Sequence, residues 1–260
     1  MFSPALAQSG PGGWSQIKRT LPQETARLNN TPIMERDMNY ARTRFAEIRT
    51  VDDLMKDYRL LNVALTAHGL GDRIDDRAYI RKVLEEGIGK DSFSQKTQDM
   101  RFVELSRTFG FDKPFQGLDK PSIDRVLKSF TAQTYTGAVA NEDPILGQAL
   151  RAREALSALA TSNMSNTGKW LTVISDTDLR GVFEKTLGIP PSMWMMDIDK
   201  QVDRLESAFS RRFGGDIKAL SDPALQTEIL DRFVVIASIP QDTSMTSGAI
   251  ALALFQAQLS

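Results

Sequence analysis

The chain has 260 residues, 41% of them hydrophobic, with 32 basic residues against 33 acidic ones and no cysteine. That is ample apolar material for one large domain or two small ones, and the near balance of charge leaves no long-range field to attract nucleic acid or an anionic membrane. The absence of cysteine excludes disulfides, thiolate nucleophiles and cysteine-ligated metal centres.

No apolar stretch approaches the roughly 18 to 20 residues of a membrane helix, so no membrane span is expected; the longest candidate is Ala249 to Phe255. Ala5-Leu6-Ala7 has the form of a secretory cleavage site, but the four residues before it make neither a charged nor an apolar region, and no signal peptide is expected. The composition leaves localisation open between the cytoplasm and export.

In chain order, residues 1–30 read as a partly extended N-terminal arm. Thr31-Pro32 opens the first clear helix, with Thr31 placed to cap it and Pro32 where a missing N–H costs nothing. The apolar stripe Met34, Met38, Ala41, Phe45, Ile48 follows at spacings of four, three, four and three, one face of a helix. Thr50-Val51-Asp52-Asp53 is a capping signal, and the run Leu60, Leu61, Ala64, Leu65 stops at Gly69.

Asp75 or Asp76 restarts the chain as a helix, with Tyr79, Ile80, Val83 and Leu84 inward and Gly87 at its end. Phe102, Leu105, Ser106 and Phe109 define another, stopped by Gly110, and residues 110–121 read as the main surface connection. Ser122 to Ala140 and Pro144 to Ala160 both have helical periodicity, as two helices or one kinked one, with a fresh start at Asp143-Pro144. A short helix around Trp170 comes next, then Ser175-Asp176-Thr177-Asp178 capping a run through Leu179, Val182, Phe183 and Leu187 to Gly188. Pro190-Pro191 forbids its continuation. The stripe Ile198, Val202, Leu205, Phe209, Phe213 and the helix opened by Asp222-Pro223 complete the helical part, and residues 241–260 form an apolar tail.

The pattern predicts an all-α protein without significant sheet, an irregular array of two similar helical halves packed together. Half one is 31–111 and half two 166–240, joined by connecting helices in 112–165. The similarity rests on an echo: Leu65 to Leu70 and Glu184 to Ile189 each end a helix as glycine followed by an aliphatic residue. The ends, Met1 to Trp14 and Thr243 to Ser260, are expected to become ordered on a partner.

Candidate chemistry is sparse. Gly69-Leu70-Gly71-Asp72-Arg73-Ile74 starts like a dinucleotide-binding loop, but follows a helix where that motif needs a strand, and its sixth position is Ile. Gly87-Ile88-Gly89-Lys90-Asp91-Ser92 fails as a phosphate loop, because Leu84 replaces the required glycine and Asp91 stands where Ser or Thr would hold magnesium. His68 is the lone histidine and sits one residue before a helix-ending glycine, a place for bonding the last carbonyls. The acidic pairs Asp52-Asp53, Asp75-Asp76 and Glu85-Glu86, and the neighbours Asp176 and Asp178, read as caps and solvated faces, since adjacent helical residues diverge by about 100°. Arg211-Arg212, Arg151 with Arg153, and Lys18-Arg19 read as helix surface compensated by nearby acids. No catalytic residue, cofactor or metal site is expected.

Pro191-Ser192-Met193-Trp194-Met195-Met196 stands apart. Four large apolar residues in succession cannot all face one core, so Met193, Trp194, Met195 and Met196 are either buried between the halves or form an exposed docking patch.

The order of several segments resembles a bacterial family of unknown function whose members are commonly encoded in flagellar gene clusters. The resemblance runs through Val51-Asp52-Asp53-Leu54, Arg59 to Leu65, the Gly69-Leu70 stop, Ile80 to Glu85 and Phe102 to Phe111. It continues through Trp170, Leu179 to Pro190, Asp199-Lys200-Gln201, Arg212-Phe213-Gly214 and Arg232-Phe233, and includes Gly13-Trp14 and Arg19-Thr20. His68 stands where the family resemblance leads one to expect an apolar or aromatic residue. The resemblance implies a non-enzymatic, flagellum-associated structural or interaction protein whose partners are flagellar or other helical proteins, or a second copy of itself. Alternatives are a carboxylate-dependent enzyme acting on a cell-envelope polymer and a cytoplasmic flagellar export chaperone.

Overall fold

A computed structural model describes residues 2–97 and 99–239; the expected apolar tail lies outside them. The protein is all-α, with no strand among the described residues. The helices are α1 Gly10–Asn29, α2 Pro32–Glu47, α3 Val51–Lys56, α4 Tyr58–Ala67, α5 Arg77–Glu86, α6 Phe93–Lys96 and α7 Met100–Phe109. They continue as α8 Lys120–Glu142, α9 Pro144–Thr161, α10 Asn166–Ser175, α11 Thr177–Leu187, α12 Ile198–Phe213 and α13 Pro223–Ala237. Three 3-10 turns, Gly71–Arg73, Pro191–Met195 and Ile217–Ser221, complete the described part. No described helix is long and apolar enough to cross a membrane.

The helix boundaries follow from side chains that satisfy free backbone groups. Thr31 accepts the Met34 N–H at the start of α2, and Thr50 with Asp53 forms a reciprocal capping box on α3. Asp143 resolves the question of one helix or two. It ends α8 and caps α9 through the N–H groups of Ile145 and Leu146 at 2.9 and 3.1 Å, with Pro144 as the first helical residue.

The chain divides into two compact units, each drawn from two stretches of the sequence. Among the described residues, one comprises the stretch up to Pro4 with Leu21–Ala138, the other Ala5–Thr20 with the stretch from Val139 onward. Two of their three boundaries fall inside α1 and α8, so the expected connecting stretch 112–165 is divided between the units. Pro22, which has no N–H to give to the helix, lies beside the boundary in α1.

Within residues 1–30, read from the sequence as a partly extended arm, helix begins at Gly10 and runs to Asn29. The low apolar content of this stretch hid an anchor. Trp14 and Ile17 are buried, and the Trp14 Nε1–H donates to Asp231 at 2.6 Å. The Lys18 ammonium meets the same carboxylate at 2.7 Å, and the Gly10 N–H donates to Asp143 at 3.0 Å. The N-terminal segment is thus ordered on α9 and α13 of its own chain.

In the first unit, the core is built on α2, α4, α5 and α7. Phe45 and Phe109 meet at 5.6 Å between centroids, and Tyr79 lies against Phe93 and Phe102 at 4.8 and 4.9 Å. In the second, Trp170 is fully buried and takes the rings of Phe183 and Phe209 edge-on, each at 5.6 Å. Burying each such side chain contributes about 1.5–3 kcal/mol. The Trp170 N–H makes no hydrogen bond among the described residues.

Candidate functional site

The Pro191–Met195 turn is set up by the end of α11. Gly188 adopts a left-handed conformation (φ +65°), the Ile189 N–H reaches back to Glu184 O at 2.8 Å, and Pro190-Pro191 redirects the chain. This is a Schellman ending, in which two N–H groups beyond the helix satisfy its last carbonyls.

Five side chains then fix the turn. Met193 is buried at 4% exposure and acts as its apolar anchor. The Trp194 indole N–H donates to Glu184 at 2.7 Å, while the Arg180 guanidinium stacks over the indole at 4.1 Å from its centroid. Gln201, a buried residue of α12, donates to the carbonyls of Met196 at 2.7 Å and Trp194 at 3.3 Å. Between these restraints Met195 is 90% exposed, and Ile198 beside it is 46% exposed.

The four residues singled out in the sequence therefore divide. Met193 is core, Trp194 is half-buried and engaged, Met196 is half-buried, and Met195 is held in solvent. Ile198 was expected inward as the first member of the α12 stripe and is instead largely exposed. It is the first residue of the helix, a turn ahead of the inward-facing Val202 and Leu205.

A shallow surface groove of about 380 Å³ continues from the turn along α12, lined by Met196, Lys200, Asp203, Arg204, Ser207 and Arg211. Lys200 pairs with Asp197 at 3.0 Å. Among the described residues, Arg204, Arg211 and Arg212 form no ion pair, contrary to the compensation expected of Arg211-Arg212. The groove was not visible in sequence because its lining is the polar face of an ordinary amphipathic helix, and only a small Ser207 between long neighbours opens it.

The other candidates have structural roles. The His68 Nδ1 faces Ala64 O at 2.7 Å and its Nε2 faces the Thr108 hydroxyl at 2.9 Å. A carbonyl only accepts, so Nδ1 carries the proton, and burial holds the imidazole below its ordinary pKa. Gly69 ends α4 and the Gly71–Arg73 turn follows it, so the first glycine loop is a helix stop. Gly87 likewise ends α5. Asp52 pairs with Arg81 at 2.7 Å and with Lys56, which lower its pKa. Asp53 and Asp176 cap helices, and Asp178 holds Arg151 through two bonds at 2.9 and 3.1 Å. Among the described residues, no group of three or more His, Asp or Glu side chains is placed to hold a metal.

No curated protein significantly matches the chain. The chain is similar to a protein of Agrobacterium tumefaciens whose crystal structure was determined as a structural-genomics target. The two are 27% identical, with a TM-score of 0.70 over 88% of this chain and 93% of that one. A family model described as "protein of unknown function (DUF1217)" matches residues 67–225, which include α5 to α12, the methionine turn and the groove. With well over half its length matched, the chain belongs to this DUF1217 family of proteins of unknown function.

Proposed function

We propose that the chain is a non-enzymatic interaction protein of the flagellar apparatus, docking a partner protein through the Met193–Met196 turn. The observation that carries the docking reading is Met195, an apolar side chain at 90% exposure on a turn restrained by Met193, Trp194, Arg180 and Gln201. A methionine on a loose loop has no consequence, but one carried by a turn that specific bonds fix is presented ready to enter a pocket.

The equivalent region of the first unit serves as an internal control. There too a glycine-ended helix leads through a 3-10 turn into the next helix, but the linking residues are Gly71-Asp72-Arg73-Ile74-Asp75-Asp76. That connection contains one large apolar residue, Ile74, and no methionine, so a run of methionines is not needed to make it. The flagellar assignment is supported by the resemblance of the segments from Val51 to Phe233.

Deleting the gene is expected to impair flagellar assembly or swimming. Met195→Asp is expected to reproduce the defect while leaving the purified protein folded by circular dichroism. Normal assembly and swimming in the deletion strain would remove the flagellar assignment; normal behaviour of the Met195→Asp strain alone would remove the turn as the docking element.

A further inference from the structure

We infer that the partner seats an acidic amphipathic helix along the exposed face of α12, with its apolar end over Met195, Met196 and Ile198 and its carboxylates on Arg204 and Arg211. The inference rests on the docking reading above and specifies its ligand.

The first argument is shape. Lys200, Arg204, Ser207 and Arg211 recur at spacings of four, three and four, so they lie on one face and run about 16 Å along the axis. A small residue flanked by long ones makes a notch, which receives a side-chain ridge of a second helix. The groove volume of about 380 Å³ suits a few side chains and not a whole domain.

Charge gives the second argument. Lys200 is occupied by Asp197, leaving Arg204 and Arg211 facing the groove with no ion pair among the described residues, against the single carboxylate of Asp203. Seven residues separate the two arginines, about 10 Å along a helix, so a partner helix with carboxylates seven residues apart would meet both. The helix dipole accounts for a cation in the last turn, where Arg211 lies, but not for Arg204 in the middle.

The third argument is continuity. The groove begins at Met196, whose carbonyl is held by Gln201, so the apolar and cationic parts form one surface with a fixed junction. Electrostatic complementarity of this kind orients a partner, and the apolar anchor retains it.

The test places the photoreactive amino acid benzoylphenylalanine at position 195 of the full-length chain in its native bacterium, with and without Arg204→Glu and Arg211→Glu. The expected result is a cross-link to a segment with an apolar end and acidic residues seven apart. Capture should fall at least tenfold in the doubly reversed chain and recover when those partner acids are changed to Lys. Both arginines lie on the exposed face, and circular dichroism checks that the reversed chain remains folded. A cross-link to a segment without such acids, to a second copy of this chain or to lipid overturns the inference, as does capture unchanged by charge reversal. In the last case a docking role for Met195 survives without the acidic helix. Capture of nothing at all removes both.

Discussion

Asp57 and Asp176 stand 119 positions apart and perform the same task. Asp57 accepts the Leu60 N–H at 3.0 Å at the start of α4, and Asp176 accepts the Leu179 N–H at 2.8 Å at the start of α11. The correspondence persists to the other end of each helix. Gly69 and Gly188, again 119 apart, have φ of +70° and +65°, and each begins a Schellman ending followed by a 3-10 turn.

Asp57 also accepts the Tyr40 hydroxyl at 2.6 Å, a bond that raises the phenol's pKa, and lies 3.5 Å from Arg44. Asp57→Ala is expected to cost about 2 kcal/mol, because the Tyr40 bond goes with the cap. Urea denaturation of the variant measures the loss. A double-mutant cycle with Tyr40→Phe should show coupling at Asp57, and no coupling would contradict this account.

Gly188 allows a clean measurement of backbone cost. A Cβ added there would meet nothing within 4 Å, so Gly188→Ala should lose ~1 kcal/mol from the left-handed conformation alone. Gly188→Asn should recover part of the loss, because Asn tolerates that region. Thermal melts of the two variants decide, and equal stability of wild type and Gly188→Ala would refute the reading.

His68 ties stability to pH. Its folded pKa lies below the ordinary 6.5, chiefly because burial disfavours the charged ring. The neutral ring's contribution is therefore complete above the unfolded value and is lost as pH falls from there through the folded value. Between about pH 7.5 and pH 5, wild type should lose more melting temperature than His68→Gln. Parallel curves for the two proteins would exclude this role.

Asp231 fastens the N-terminal helix. Removing its carboxylate strips both the Trp14 indole and the Lys18 ammonium of a partner. Asp231→Ala is expected to destabilise the protein by about 1–2 kcal/mol and to increase hydrogen exchange around Trp14. Unchanged protection there would mean that apolar burial alone holds the segment.

Helix starts and stops were legible because they are local. Thr31, Thr50, Asp143, Asp176 and Asp222 act within three residues of themselves, and Gly69 and Gly188 act on the turn just completed. The methionine turn was legible as an anomaly, but which methionine emerges depends on Gln201 and Glu184, several residues away on flanking helices. Least legible was the N-terminal segment, whose Trp14 finds its acceptor 217 residues later. No periodicity records a pairing over that separation.

That separation sets an order of events during synthesis. At about 5–20 residues per second, the ribosome needs roughly ten to forty seconds between making Trp14 and making Asp231. During that interval residues Leu21–Ala138 of the first unit are made, while the second still lacks a complete α13. The earliest part of the chain to be made is therefore among the last to settle. A nascent chain stalled before Asp231 would leave the Trp14 indole without its acceptor, ready for a chaperone or a protease to find.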